Sequence, residues 1–371
     1  MASPSPRELI ALSRIPGIGC LRLRNLVNHF GDPRAIALAS LRQLCEVEGI
    51  DRKAALAIAQ FNRSSAEAAG KFADDQLRRL ARASGRMISI WDDEYPPFLK
   101  RIYDPPPFLF VRGGFTPGDE SALAIVGTRT PTPYGIIVAE RFTAALARLG
   151  LTIVSGLARG IDTVAHESAL RAGGRTVAVI GSGIDVIYPA ENRALSSRAA
   201  EQGALASEYM MGAKPDAVNF PRRNRIISGI ALGTLIVESG VEGGAMITAT
   251  TALDQNREVF AIPSALHEKR TSGTNRLIKE GKALLTETIE DILAELGPRL
   301  KGITTPPPVP PTQDLSLFER RIYDVMEDAP LHIDQLAARS GLATGDALVH
   351  LLSLEFKGAV RQMAGRMFVK T

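Results

Sequence analysis

LTIVSGLARGIDTVAHESALRAGGRTVAVIG, residues 151–181, decides the fold. It opens and closes on the short apolar runs LTIVSG and TVAVIG, and the stretch between them, IDTVAHESALRAG, is amphipathic. Strand, helix and strand in that order, with strands of the fully buried type, predict parallel neighbours joined by a crossover helix. The pattern continues in both directions. ALAIVG (122–127) with YGIIVAERFTAALARLG precedes it; YPAENRALSSRAAEQG, ALASE, FPRRNRIISGIA, TLIVES (234–239), GAMITATTALDQN and EVFAIP (258–263) follow. The prediction is an α/β fold, a doubly wound parallel sheet covered on both faces by helices. Ahead of it, MISIWDDEYPPFLKRIYDPPPFLFVRG carries apolar runs broken by prolines and is expected to extend an edge of the same sheet.

Different textures flank this core. Residues 1–65 read as short helices around two similar turns, IPGIG (15–19) and VEGID (47–51), each followed by an apolar-periodic helix. This is similar to helix-hairpin-helix or sterile-alpha-motif-like modules, and equally compatible with a plain helical bundle turned by glycines. A connecting helix over 66–85 leads into the core, taken as 66–296. GPRLKGITTPPPVPPTQD (297–314) reads as an extended proline-rich linker. Residues 315–371 read as helix, helix, turn, helix and β-hairpin, a winged-helix domain. Its groove-reading segment GDALVHLLSLEFKG sets Asp346 and Glu355 against Lys357, which favours a protein-contact role over duplex reading.

Charge narrows the function. The net charge of +4 resides in residues 1–65, with nine Lys/Arg against five Asp/Glu, whereas residues 315–371 hold seven of each. The middle is therefore neutral, so any anion site there must arise from local clustering. No apolar run is long enough to cross a bilayer, and the amino terminus lacks a secretory layout. Cys20 and Cys45 lack disulfide or metal-ligand spacing and are read as buried thiols of a reducing cytoplasm. The five scattered histidines suggest no metal site.

Ligands of such sheets bind beyond the carboxyl ends of the strands. Four turns fall there: Gly127-Thr128-Arg129; SGLARG, with Ser155, Gly156 and Arg159; Gly181-Ser182-Gly183; and FPRRNR (220–225). The first three are expected to offer backbone amides to phosphate oxygens. In the fourth, Pro221 suits the first helical position, which places Arg222, Arg223 and Arg225 in the first turn, the positive end of the dipole. Three arginines there call for a polyanion, since the nearest acid, Asp216, supplies a single carboxylate. Phe220 is either a stacking platform for a base or an apolar anchor. Enzymatic signatures are sparse: there is no P-loop, and GSGID lacks the third glycine of a dinucleotide site. Asp162 and His166 stand four apart as an acid–base pair or as buried hydrogen-bonding groups, and Glu238 is the other carboxylate of interest.

AIVGTR, IVSGLARGIDTVAHESAL, VIGSGIDVIYPAENRAL, FPRRNRIISG and VESGVEGGAMITA, in that order, resemble the DNA-processing protein A (DprA, also called Smf) family. The resemblance spans nearly the whole chain. It implies an extended Rossmann-like core between a sterile-alpha-motif-like domain and a winged helix. It also implies a non-enzymatic, cofactor-free protein that binds and protects single-stranded DNA, forms a homodimer through the core, and helps load the RecA recombinase during natural transformation. By motif, the family's DNA pocket falls on Arg129, on the Ser155-Gly156 and Gly181-Ser182-Gly183 turns, and on Phe220, Arg222, Arg223 and Asn224. Where the family commonly has SGSLITA this chain reads EGGAMITA from Glu242, which removes two serines from that turn. The core also resembles nucleoside-monophosphate phosphoribohydrolases, but ESGVEGGAMIT lacks their PGGxGT turn.

Overall fold

The computed structural model describes residues 4–265, 272–300, 315–326, 330–356, 359–363 and 365–370. They fall into two compact units, residues 1–303 and 304–371. The first opens with six helices: α1 (Pro6–Leu12), α2 (Cys20–Phe30), α3 (Pro33–Leu38), α4 (Leu41–Cys45), α5 (Arg52–Ser64) and α6 (Ala66–Arg82). Gly17 and Gly49, in the two similar turns, take left-handed φ values of 77° and 80°, which explains glycine at both places. One apolar cluster runs from Leu9 and Ile36 through Ala73 to Phe110, Leu205 and Met211, so these helices share a core with the sheet.

The sheet has nine strands: β1 (Arg86–Ser89), β2 (Phe108–Gly113), β3 (Ala122–Val126), β4 (Thr152–Ser155), β5 (Thr176–Val179), β6 (Ala204–Ser207), β7 (Gly233–Ile236), β8 (Glu258–Ala261) and β9 (Leu284–Leu285). Their order is β1-β2-β6-β5-β4-β3-β7-β8-β9. From β6 to β9 all neighbours are parallel, whereas β2 runs antiparallel to both β1 and β6. The proline-broken segment thus extends the sheet edge as predicted. Helices α7 (Pro133–Arg148), α8 (Ile161–Arg171), α9 (Arg193–Glu201), α10 (Asn219–Ile230), α11 (Gly244–Asp254), α12 (Ser272–Lys279) and α13 (Ile289–Leu296) complete the unit. On one face Ile226, Ile227 and Ile230 of α10 and Ala245 and Ala249 of α11 pack over β-strand valines and alanines. On the other, Phe142, Leu146, Ala165 and Ile292 cover Leu123, Ile153 and Leu235. Strands β4 and β7 flank β3 on opposite sides, so chain order reverses at β3 and a crevice opens beyond its carboxyl end.

The second unit holds α14 (Leu317–Asp324), β10 (Leu331–His332), α15 (Ile333–Ser340), α16 (Thr344–Phe356), β11 (Val360–Met363) and β12 (Met367–Lys370). Its strands order β10-β12-β11, and Ile322, Leu336, Leu351 and Phe368 form its centre, a winged-helix arrangement. Of the predicted proline-rich linker, Gly297–Arg299 forms a 3-10 turn, and 301–314 lie outside the described residues. The cysteine reading needs correction: Cys20 is half-buried and Cys45 is exposed. The five-residue α4 buries only Leu44, so Cys45 at its end is left facing out.

Candidate functional site

A cleft of about 740 Å³ lies over the reversal point. Gly127, Thr128 and Arg129 border it beyond β3, Phe220, Arg223 and Asn224 border it from α10, and Gly240, Gly243 and Gly244 close it from the turn before α11. A smaller recess of about 50 Å³ shares Arg129 and Phe220 and adds Gly156, Arg159, Gly181 and Ser182. Three turns distant in sequence meet here because parallel strands deliver all their carboxyl ends to one sheet edge. Gly160 makes the meeting possible: its φ is 75°, and a Cβ there would lie 2.3 Å from the Thr128 carbonyl oxygen.

Arg223 sets the electrostatics. It is only 4% exposed, and its guanidinium lies so close over Gly156 that a Cβ on that residue would sit 1.6 Å from Nη1. Its Nε has no hydrogen-bond partner, and among the described residues it forms no ion pair. Burial draws its pKa down to about 10; the Asp162 charge opposes this and Arg129 adds to it, so Arg223 remains a cation at neutral pH. Asp162 itself accepts the amides of Gly156 (3.2 Å) and Ala158 (3.3 Å), and burial raises its pKa against the pull of Arg223. A buried guanidinium without a hydrogen-bonded counter-ion is costly to the free protein and favours an anion entering the cleft.

Phe220 is half-buried at the junction of both recesses. The Arg129 guanidinium lies 5.2 Å from its ring centroid, and the Tyr188 ring 6.0 Å away at an interplanar angle of 46°. Arg129 is exposed. This is a cation beside an aromatic wall, an arrangement suited to a phosphate and an adjoining base.

Several expectations require correction. Helix α10 starts at Asn219, so Pro221 holds the third helical position and the arginines fall two positions further in, beyond the first turn. The Asp216 carbonyl and carboxylate accept the amides of Asn219 (3.0 Å) and Val218 (3.1 Å), and so start the turn early. Arg225 points away from the cleft. It pairs with Glu208, with the Asp104 carboxylate at 3.3 Å, and donates to the Asp104 carbonyl, so its counter-ions are internal. Arg222 is exposed and lines neither recess, and Arg159 pairs with Glu191 at 2.8 Å.

The turn amides are also largely committed within the fold. Thr128 donates to the Glu238 carbonyl (2.7 Å), Gly156 to Asp162, and Gly183 to the Ala213 carbonyl (3.0 Å). The Ser155 and Ser182 hydroxyls donate to the carbonyls of Ile125 and Val186, both at 2.6 Å. Ser155 and Gly183 border neither recess.

Asp162 and His166 do not pair. His166 is fully buried, with Nδ1 2.7 Å from the Thr176 hydroxyl, and burial then Arg223's charge hold its pKa near about 3. Glu238 receives the Thr132 amide (3.2 Å) and hydroxyl (2.9 Å) ahead of α7. The sequence does not single out Tyr188, whereas the turn before α11, marked by its loss of two serines, still lines the cleft. Tyr188 sits among aliphatic residues of the VIGSGIDVIYPAENRAL stretch that give no sign of a ligand, and Gly243, the N-cap of α11, carries no side chain to signal one.

A doubly wound sheet with a cationic, aromatic-walled cleft at its carboxyl edge defines a Rossmann-like ligand-binding protein, here joined to a winged helix. The chain belongs to the DNA recombination-mediator protein A family, whose pattern matches residues 86–297. The DprA winged helix domain matches 306–366, and a SAM-like helix-hairpin-helix tandem matches 9–61. Protein Smf of Escherichia coli is 34% identical over 363 residues, covering 96% of this chain and 93% of its own. The X-ray structure of DNA processing protein A from Streptococcus pneumoniae superposes with a TM-score of 0.68 at 31% identity, covering 78% of this chain and 98% of that one. The Helicobacter pylori DNA processing protein A, whose structure concerns its single-stranded DNA binding mode, gives 0.52 at 29% identity, covering 58% and 96%.

Proposed function

We propose that this chain binds single-stranded DNA in the cleft over β3, with Arg223 and Arg129 on phosphates, Arg222 reaching the strand from the rim, and Phe220 with Tyr188 against a base. The observation that carries the reading is Arg223, a buried cation facing the cleft without an ion-pair partner among the described residues. The single-strand binding of the Helicobacter pylori relative supports it. In this reading the protein acts in the cytoplasm as a homodimer through the Rossmann-like core and helps load the RecA recombinase onto incoming strands. It catalyses no reaction and needs no cofactor. The helical 1–65 segment and the 315–371 winged helix serve as accessory modules. The phosphoribohydrolase reading has less support, because the cleft carboxylate Asp162 and nearby Glu238 are both spent on backbone amides.

The test is a titration with single- and double-stranded oligonucleotides across salt concentrations, beside an assay for ribose-phosphate release from nucleotides. Three arginine contacts predict a log–log salt slope of about −2 on single strands, at about −0.7 each. A slope near zero overturns the arginine–phosphate account, and ribose-phosphate release overturns the non-enzymatic one.

A further inference from the structure

A second cleft, about 450 Å³, is lined by Arg24, Asn25 and Asn28 of α2 and by Ile90, Trp91 and Lys100. Its composition is unlike an ordinary solvated surface. The Trp91 indole N–H donates to the Asn28 side-chain oxygen at 2.8 Å, which fixes the ring plane, and buried Ile90 backs it. Arg24 is half-buried, Lys100 is exposed, and among the described residues neither makes an ion pair. Three of the acids nearby in sequence are engaged elsewhere, and the Asn25 amide donates to the Glu48 carbonyl at 3.2 Å. Asp92 accepts the Ser89 amide and hydroxyl, Glu94 pairs with Arg86, and Asp104 pairs with Arg225. Two free cations, two amides and an oriented indole without a carboxylate match a single-stranded nucleic acid, which presents phosphates beside open base faces.

Its place in the sheet links it to the first cleft. Strand β1 is antiparallel to β2, which is antiparallel to β6, so β1 runs in the direction of the parallel strands. Ile90 and Trp91, directly after β1, therefore emerge at the same carboxyl edge as the Gly127, Gly156 and Gly181 turns. From β1 to β3, beneath the first cleft, is five strand-to-strand steps, roughly 24 Å at about 4.8 Å each. A strand only a few nucleotides longer than the first cleft requires can cover that distance.

We propose that Arg24, Asn25, Asn28, Trp91 and Lys100 form a second station for the same single strand, where Trp91 stacks on a base and Arg24 and Lys100 take the flanking phosphates. The proposal rests on the single-strand reading above, and its test separates the two. Trp91 is the only tryptophan of the chain, so its emission reports this station alone. The full-length protein is titrated with end-labelled oligothymidylate of about 16 nucleotides, the upper end of single-strand site sizes. Label anisotropy measures binding, and tryptophan emission measures arrival at Trp91. The expected result is binding with quenched emission. In Arg24→Gln/Lys100→Gln, affinity should fall on the order of tenfold near 0.1 M salt, with the slope smaller in magnitude by about 1.4. Neither side chain has an internal ion pair to lose, so the variant should melt as the parent does. Binding without quenching overturns the second station and leaves the single-strand reading standing. Quenching with affinity and slope unaltered in the double variant also overturns it. Absence of binding overturns both.

Discussion

Arg223 and Arg225 leave α10 two positions apart, which turns their side chains about 200° around the axis. Arg223 is thereby carried into the cleft over Gly156, and Arg225 into the interior beside Glu208. Arg225→Ala would strand Glu208, whose pKa burial already raises and the arginine holds down. The expected cost is about 3 kcal/mol of stability, read by denaturant unfolding, with the salt slope of binding unchanged. A changed slope would return Arg225 to the phosphate contacts. Phe220 behaves differently. It is half-buried between Arg129 and Tyr188, so Phe220→Ala should cost about 1 to 3 kcal/mol of single-strand affinity without altering the slope. A large drop in melting temperature with normal binding would instead make Phe220 an anchor.

At the scale of elements, α8 docks on β4 and β5 through His166, whose Nδ1 meets Thr176 and whose Nε2 has no partner. Its folded pKa of about 3 lies below the unfolded value of about 6.5. The unfolded chain thus takes up the proton first as pH falls. The stability from a neutral His166 is complete above about pH 6.5 and is lost toward about pH 3, by up to about 1.4 kcal/mol per unit. Asp162 and Glu208, with raised pKa values, act in the opposite sense, favouring the fold as pH falls. The difference between wild type and His166→Gln isolates the histidine: its unfolding free energy should be flatter over that window. Parallel curves would refute a buried neutral ring.

The whole molecule separates into a unit carrying both clefts and a winged-helix unit with its own centre at Leu336, Leu351 and Phe368. A chain ending at residue 300 should therefore keep its cooperative melting transition and its single-strand affinity. An intact transition with lost affinity would move the principal contacts into the winged helix.

Local periodicity determined the strand–helix alternation, the doubly wound sheet and the winged helix, because buried parallel strands and amphipathic helices leave their period directly in the residues. It also pointed to Gly127, Thr128, Arg129, Phe220, Arg223 and Asn224 on the cleft border, since glycine-rich and cationic turns at strand ends can be recognised from composition. Which arginine faces the cleft was not legible. FPRRNR reads as one cationic cluster, yet its charges divide according to helix rotation and to Glu208 and Asp104, partners 17 and 121 positions away in sequence. The fate of the turn amides was equally hidden. Thr128 and Gly183 find their acceptors at the Glu238 and Ala213 carbonyls, far along the chain, contacts that exist only once the sheet has assembled. Trp91 and Arg24 are 67 residues apart by number, and only the antiparallel return through β2 and the packing of α2 set them in one cleft. Local pattern specifies what each segment becomes; which charges remain unpaired depends on packing between distant segments, and that was decided by the tertiary structure.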